Sequence, residues 1–102
     1  MKKFSLILIL FFVLIGSLYA NNKLAVTITK IDEKPSGFTY FHYEIYNHTE
    51  KNQWVKVIIT YYDTNGRFRK VNVSHTVLSM YVKKTWQGIE DYGSGINIMA
   101  YY

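Results

Sequence analysis

Histidine is the first residue type to consider for metal binding or acid–base catalysis, because this 102-residue chain contains no cysteine. The three histidines are His42, His48 and His75. Zinc sites of the finger type combine a His pair with three to five intervening residues and a close Cys pair; His42 and His48 have five residues between them, but no cysteine accompanies them. The pattern therefore predicts solvated or edge-strand histidines, with no metal site and no cofactor.

A serine hydrolase triad and a calcium loop are two other chemistries that the residue types suggest. Ser74 and His75 are neighbours, with Asp63 or Asp91 as a third member. Neighbours on a strand point to opposite faces, and Ser74 lies in no Gly-x-Ser-x-Gly elbow. Asp63 and Asn65 resemble the start of a calcium loop, but Ser74 stands where such a loop needs a bidentate glutamate. We therefore predict a hairpin turn at Asp63 and no enzyme.

Aromatic side chains are the best lead to a binding surface. Four of them fall opposite the predicted core faces of their strands: Tyr40, Tyr46, Trp54 and Tyr62. Aromatic residues on both faces of a strand indicate either stacking on the outer face or contact with a partner. These four are the candidate contact residues.

Basic residues give an alternative candidate rim, formed by Arg67, Arg69 and Lys70. Further residues that would extend it are Lys83, Lys84, Trp86 and Phe68. Surfaces that combine aromatic and basic side chains suit anionic glycans, phospholipid headgroups or acidic proteins. The alternative is a solvated hairpin whose charges discourage strand-to-strand association.

The first twenty residues have the order of a secretory signal peptide. A short basic start precedes the nearly all-apolar stretch Phe4–Ile15, and small residues lead to a cleavage point after Ala20. The rival interpretation is an uncleaved anchor, because Phe4–Ala20 carries no charge over 17 residues, slightly short of the ~20 of a spanning helix. We expect a signal peptide over 1–20, a folded domain over 21–102, and a periplasmic or extracellular location.

The amino-acid composition of residues 21–102 limits the classes of molecule that this chain can bind. After the first twenty residues, 10 lysines and arginines stand against 7 aspartates and glutamates, which is far from a nucleic-acid footprint. The 14 remaining aromatic residues, each able to bury ~150–250 Å², must supply the core without disulfides. We expect no nucleic acid, and membrane contact only through the N-terminal segment if it is uncleaved.

Period-two alternation without a sustained helical period predicts an all-β fold. Gln53–Gly66 is the strongest segment, with Val55, Val57, Ile59 and Tyr61 on one face and a turn at Asp63-Thr64-Asn65-Gly66. The other predicted strands are Lys23–Ile31, Phe38–Asn47, Arg67–Leu78, Val82–Ile89 and Ile96–Tyr102, and a second turn is predicted at Asp91–Gly95. Six or seven such strands fit two packed layers.

The stretch Ile59-Thr60-Tyr61-Tyr62-Asp63, preceded by Asn47-His48-Thr49, resembles the Phe-x-Leu-Tyr-Asp motif of FxLYD-type domains of exported bacterial proteins. The resemblance covers residues 38–102, and Ile59 and Tyr61 depart from the motif's Phe and Leu. It implies a small antiparallel immunoglobulin-like sandwich of six to seven strands without a known catalytic site. In such domains the aspartate of the motif orders the turn.

We therefore expect an exported non-catalytic β-sandwich that acts as a binding or accessory module in the cell envelope. Its expected partner is another envelope protein or an anionic surface component. Two alternatives remain: a membrane-tethered envelope-structural protein that keeps residues 1–20 as an anchor, and a small inhibitor of an extracytoplasmic enzyme. Intact mass of the mature protein distinguishes tethering from cleavage.

Overall fold

The computed structural model describes residues 22–102. Every regular element in this part of the chain is a β-strand. The predicted signal peptide lies outside the described residues. The six strands are β1 (Lys23–Glu33), β2 (Thr39–Tyr46), β3 (Gln53–Asp63), β4 (Phe68–Val77), β5 (Val82–Ile89) and β6 (Tyr92–Tyr101). The all-β prediction is confirmed, with six antiparallel strands.

The strands form one sheet in the order β4-β3-β6-β1-β2-β5. β1 and β6 are paired only at Lys23↔Tyr101 and Leu24↔Ala100, after which β1 continues along β2. The sheet therefore curls at this short junction, so that the β1-β2-β5 layer faces the β4-β3-β6 layer in a sandwich-like arrangement.

The core lies between the two layers and is built from alternate residues of each strand, as the period of two predicts. The buried apolar residues are Leu24, Phe41, Tyr43, Ile45, Val55, Val57, Ile59, Tyr61, Val77, Ile89, Ile98 and Ala100. The Phe41 and Tyr92 rings meet edge to face across the layers, with centroids 4.8 Å apart. Such a pair contributes about 0.5–1.5 kcal/mol beyond its buried area.

The two ends of the sandwich carry different connections. We call one end the tip pole; it carries the connections 47–52 and 78–81 and the first described residue, Asn22. We call the other end the turn pole; it carries the connections 34–38, 64–67 and 90–91.

A buried asparagine fixes the tip pole. The Asn47 side chain is fully buried, and its Nδ2 donates to the carbonyls of Lys51, Val77 and Leu78 at 2.9, 3.0 and 3.2 Å. Its Oδ1 accepts from the backbone N–H and the hydroxyl of Thr49 at 3.0 and 2.7 Å. One amide thus ties the β2–β3 connection to the end of β4, which explains how a polar side chain is accommodated in the core.

A buried aspartate fixes the turn between β3 and β4. Asp63 Oδ1 accepts from the N–H groups of Asn65 and Arg67, each at 2.9 Å, and Oδ2 accepts from Arg69 Nε at 3.0 Å. The Arg67 N–H foremost, with Arg69 and Asn65, holds the pKa of Asp63 below its usual range. Gly66 has φ 78°, so the predicted turn chemistry is confirmed.

The predicted second turn at Asp91–Gly95 is wrong, because β6 already begins at Tyr92. Gly93 packs on the backbone of Asp63, where a Cβ would meet the Asp63 carbonyl. Two register shifts between β3 and β6 accompany this close approach, and Gly95 has φ 71°. These glycines allow a bulged strand pairing rather than a turn.

Asn47→Asp should destabilise the fold by roughly 1–3 kcal/mol, because an isosteric carboxylate cannot donate to the three carbonyls that Asn47 holds. Urea unfolding followed by circular dichroism measures the change. Asn72→Asp is the matched control, since Asn72 is exposed and should shift stability by less than about 0.5 kcal/mol. Equal effects at the two positions would contradict the role given to Asn47.

Stability should also depend on pH through His75, whose Nε2 lies 3.4 Å from the Tyr43 hydroxyl. Partial burial, and secondarily Lys83, lower the pKa of His75, while burial raises the pKa of Tyr43 to about 12. The unfolded chain therefore binds the His75 proton more readily than the folded chain. The stability that neutral His75 contributes to the fold is fully present above about pH 6.5, its pKa in the unfolded chain. This stability is lost as the pH falls through the lower pKa that His75 has in the folded chain.

We expect the free energy of unfolding to decrease between about pH 7 and pH 5, and His75→Gln to reduce that dependence. Urea titrations at several pH values measure it. A slope that is unchanged in His75→Gln would assign the effect to other groups.

Candidate functional site

The outer face of the β1-β2-β5 layer carries a groove of about 250 Å³. Its lining residues are Thr29, His42, Tyr43, Glu44, Lys84, Thr85 and Trp86. The antiparallel register of β2 and β5 creates it, since it places His42 opposite Trp86 and Glu44 opposite Lys84. Side chains of successive outward positions thus converge on one site.

A bulge in β1 completes one wall of the groove. The β1–β2 register shifts between Ile28 and Lys30, which leaves Thr29 as the extra residue. The Thr29 hydroxyl donates to the His42 carbonyl at 3.3 Å. Bulges commonly redirect a side chain in this way, and here the redirected residue borders the groove.

Aromatic rings form the wall of the groove nearer the turn pole. The Tyr40 and Trp86 rings meet edge to face with centroids 5.4 Å apart, and Phe38 stacks on Tyr40 at 6.1 Å. Tyr40 lies opposite Gly88, where an added Cβ would come within 2.9 Å of Tyr40 Cε1. The missing side chain at Gly88 therefore lets the Tyr40 ring lie across β5 and support Trp86, which is 58% exposed.

Charges of both signs surround the groove. Lys84 and Glu44 are directly opposite each other, and Lys30 lies opposite His42 on the neighbouring strand. Asp32 is engaged by Lys34 at 2.9 Å, and this hydrogen bond lowers the pKa of the Asp32 carboxyl. The groove therefore offers cationic donors, one carboxylate acceptor and a flat ring, a combination suited to a polar ligand with an anionic group.

The four candidate aromatic residues all point outward, but the structure does not bring them together. Tyr40 contacts Trp86 of the groove, and Tyr46 lies on the same face opposite Val82, at the tip pole. Trp54 and Tyr62 lie on the other layer, eight residues apart along β3, which corresponds to ~26 Å. Trp54 is therefore at the tip pole, and Tyr62 is at the turn pole.

At the turn pole, Tyr62 contacts the Phe68 ring, and the two ring centroids are 5.8 Å apart. The predicted basic rim is also at the turn pole, and Arg69 is occupied there by Asp63 at 3.0 Å and Asp91 at 3.7 Å. Lys70 lies outward opposite Thr60. The rim is therefore separated from Lys83, Lys84 and Trp86, which lie on the other layer.

The sequence indicated some of the groove. The period of two in β2 places Tyr40, His42 and Glu44 on one face, and the sequence itself places basic Lys84 close to aromatic Trp86. The pairing of β2 with β5 could not be read from the sequence, because these strands are separated by β3 and β4. Thr29 was missed as a site residue, although the change of phase in the alternation between Ile28 and Ile31 is a mark of the bulge.

Comparison with known proteins yields no relative: no family model, no curated protein and no solved structure matches the chain. The resemblance to FxLYD-type domains therefore stays a prediction. Within residues 22–102, no cluster of three or more His, Cys, Asp or Glu side chains is arranged to hold a metal ion. In the same part of the chain, no helix is long and apolar enough to cross a membrane.

Gly88→Ala should displace the Tyr40 ring and change the environment of Trp86, with little loss of stability. The clash is with the far end of a side chain, so we expect the free energy of unfolding to change by less than about 1 kcal/mol. Near-ultraviolet circular dichroism and tryptophan fluorescence measure the rearrangement.

Gly93→Ala is the contrasting control, because the added methyl group would meet the backbone of Asp63, which cannot swing away. It should be clearly destabilising. If Gly88→Ala unfolded the protein as readily as Gly93→Ala, the Tyr40 ring would be a core element rather than a movable wall of the groove.

Proposed function

We propose that this chain is an exported, non-catalytic β-sandwich module of the cell envelope that binds an anionic glycan in the groove of the β1-β2-β5 layer. The observation that carries the proposal is the exposed Trp86 ring, which is held by Tyr40 at one side of a groove with polar and cationic walls. Trp86 adjoins Tyr40, which in turn stacks on Phe38, and adjoining apolar groups of this kind at a surface often mark a contact site.

The size of the groove favours a single ring of a larger ligand. Its volume of about 250 Å³ is below the ~300–1,000 Å³ of pockets that enclose a whole small molecule. A sugar ring presents an apolar face that can lie against an indole ring, and hydroxyl groups that can bond Glu44, Lys84 and Thr29. An acidic group on the glycan would be placed beside Lys30 or Lys84.

The scaffold supports this use because the contact residues stand on paired strands. β2 is bonded to β1 on one side and to β5 on the other, so the groove is formed before a ligand arrives. A site built on regular elements is more rigid than one built on loops, and less side-chain freedom is lost on binding.

Export rests on the first twenty residues, which have the order of a signal peptide. If residues 1–20 stay attached, the same module would be tethered to the membrane with its groove on the β1-β2-β5 layer unchanged. Inhibition of an extracytoplasmic enzyme remains a third possibility from the sequence, but no described feature favours it over the groove.

Binding can be measured by titrating the protein with dextran sulfate as an anionic polysaccharide and with dextran as its neutral counterpart. We expect saturable binding of dextran sulfate with a change in tryptophan emission. Trp86→Ala should weaken it about tenfold or more, which is the loss expected of a central aromatic contact. Lys84→Gln should weaken it less and reduce its salt dependence.

Trp54→Ala is the matched control, because Trp54 is also an exposed tryptophan but lies on the opposite layer. It should leave the affinity unchanged. Equal losses in Trp54→Ala and Trp86→Ala, or binding that Trp86→Ala does not affect, would remove the groove as the site.

A further inference from the structure

The tip pole carries a second, separate group of exposed apolar side chains. Leu78, Met80 and Tyr81 of the β4–β5 connection are 52%, 60% and 54% exposed, and Trp54 beside them is 69% exposed. Trp54 pairs with Thr76, next to the last residue of β4. We call these four residues the tip surface. Exposed large apolar side chains gathered at one end of a domain are typical of contact sites.

The backbone beneath the tip surface is fixed by hydrogen bonds. Ser79 N–H donates to Asn52 Oδ1 at 2.9 Å and its hydroxyl to the Thr49 carbonyl at 2.8 Å. The Tyr81 carbonyl accepts from the Asn47 N–H at 3.0 Å. These backbone groups of the loop are therefore already hydrogen-bonded within the protein. The apolar side chains of the loop can enter an apolar environment without carrying these backbone groups there unpaired.

Met80 occupies a backbone conformation that disfavours a side chain. Its φ is 55°, and no other non-glycine residue of the described chain has positive φ. Glycine would relieve this strain, yet a long apolar side chain stands there. Strained backbone clusters at functional sites, and the strained residue here carries an outward, exposed methionine side chain.

Charge is distributed unevenly between the two poles. The strand halves and connections nearer the tip pole contain five lysines and two glutamates: Lys23, Lys51, Lys56, Lys83, Lys84, Glu44 and Glu50. The half nearer the turn pole contains five basic and five acidic residues: Lys30, Lys34, Arg67, Arg69, Lys70, Asp32, Glu33, Asp63, Glu90 and Asp91. The whole positive excess of the described chain therefore lies in the half nearer the tip pole.

The chain also enters the sandwich at this end. Asn22 precedes β1, and its carbonyl accepts from the Tyr102 N–H at 2.9 Å at the tip pole. The apolar stretch Phe4–Ala20 ends two residues before Asn22. A membrane that holds this stretch, during export or afterwards, would lie on the same side of the sandwich as the tip surface.

We propose that the tip surface docks on an anionic lipid surface. Leu78, Met80 and Tyr81 enter the headgroup region, where tyrosine and tryptophan are favoured. Lys23 and Lys51, the exposed lysines at the tip pole itself, lie against anionic headgroups, which attract basic segments near a bilayer. Apolar insertion and electrostatic attraction together determine the strength of such interfacial binding.

A single fluorescent label can test the docking in the full chain, because the sequence contains no cysteine. Leu78→Cys carrying the dye NBD reports on the tip surface, and Asn65→Cys with the same dye reports on the exposed turn pole. We expect vesicles of phosphatidylcholine with phosphatidylglycerol to shift the emission at position 78 to the blue, with bromolipid quenching, and to leave position 65 unchanged. Adding salt should weaken the shift.

Met80→Gly in the protein labelled at position 78 is the decisive variant. It removes the apolar side chain while relieving the positive φ, so circular dichroism should show a fold that is retained or stabilised. The vesicle-induced shift should fall about twofold or more, because less apolar area enters the lipid. Thr76→Ser, a change beside Trp54 that removes no large side chain, should leave the shift unaltered.

Several outcomes would overturn the proposal. No shift at position 78 would mean that the tip surface does not enter the lipid, even where residues 1–21 hold the protein at the vesicle. Equal shifts at positions 78 and 65 would indicate general adsorption or unfolding. An equal shift with vesicles of phosphatidylcholine alone would show that the lipid surface need not be anionic. A shift without vesicles that grows with protein concentration would assign the tip surface to a second copy of the chain.

Discussion

The packing of the two inner faces on each other is the interaction on which the other features depend. The hydrogen-bonded junction between the layers has two residue pairs, at Lys23 and Leu24, and no disulfide supplements it. The layers must therefore be held together mainly by excluding water from their inner faces. Rings such as Phe41 and Tyr43, both buried, supply much apolar area for so short a chain.

Two polar side chains complete this closure at opposite ends. Asn47 joins the connections of the tip pole, and Asp63 orders the hairpin of the turn pole. Both are buried with their hydrogen bonds satisfied, so each specifies one arrangement of the chain rather than adding apolar area. The aromatic side chains at the alternate, outward positions of the strands take no part in this core, and they can serve as contact surfaces.

The sequence predicted the strands well because alternation and turn chemistry are local properties. Val55 and Ile59 could be assigned to the core from the period of two alone. The turn predicted around Gly93 failed because that glycine serves a close approach to Asp63, which is distant in sequence. In the same way, Tyr40 and Trp54 could be assigned outward, but their separation onto opposite layers depends on the strand order. Sequence alternation specifies the face of a strand, not its neighbours.

The groove and the tip surface can act independently because of how β5 is placed. Trp86 lies four residues beyond Val82, the first residue of β5, which is ~13 Å along the strand from the tip pole. A sandwich standing on its tip pole would keep the groove clear of the headgroups and open to a ligand alongside. Asn47 and Asp63 would contact neither partner. The residues that resemble a family motif thus determine shape, and the specificity of binding must reside in outward side chains such as Trp86 and Met80.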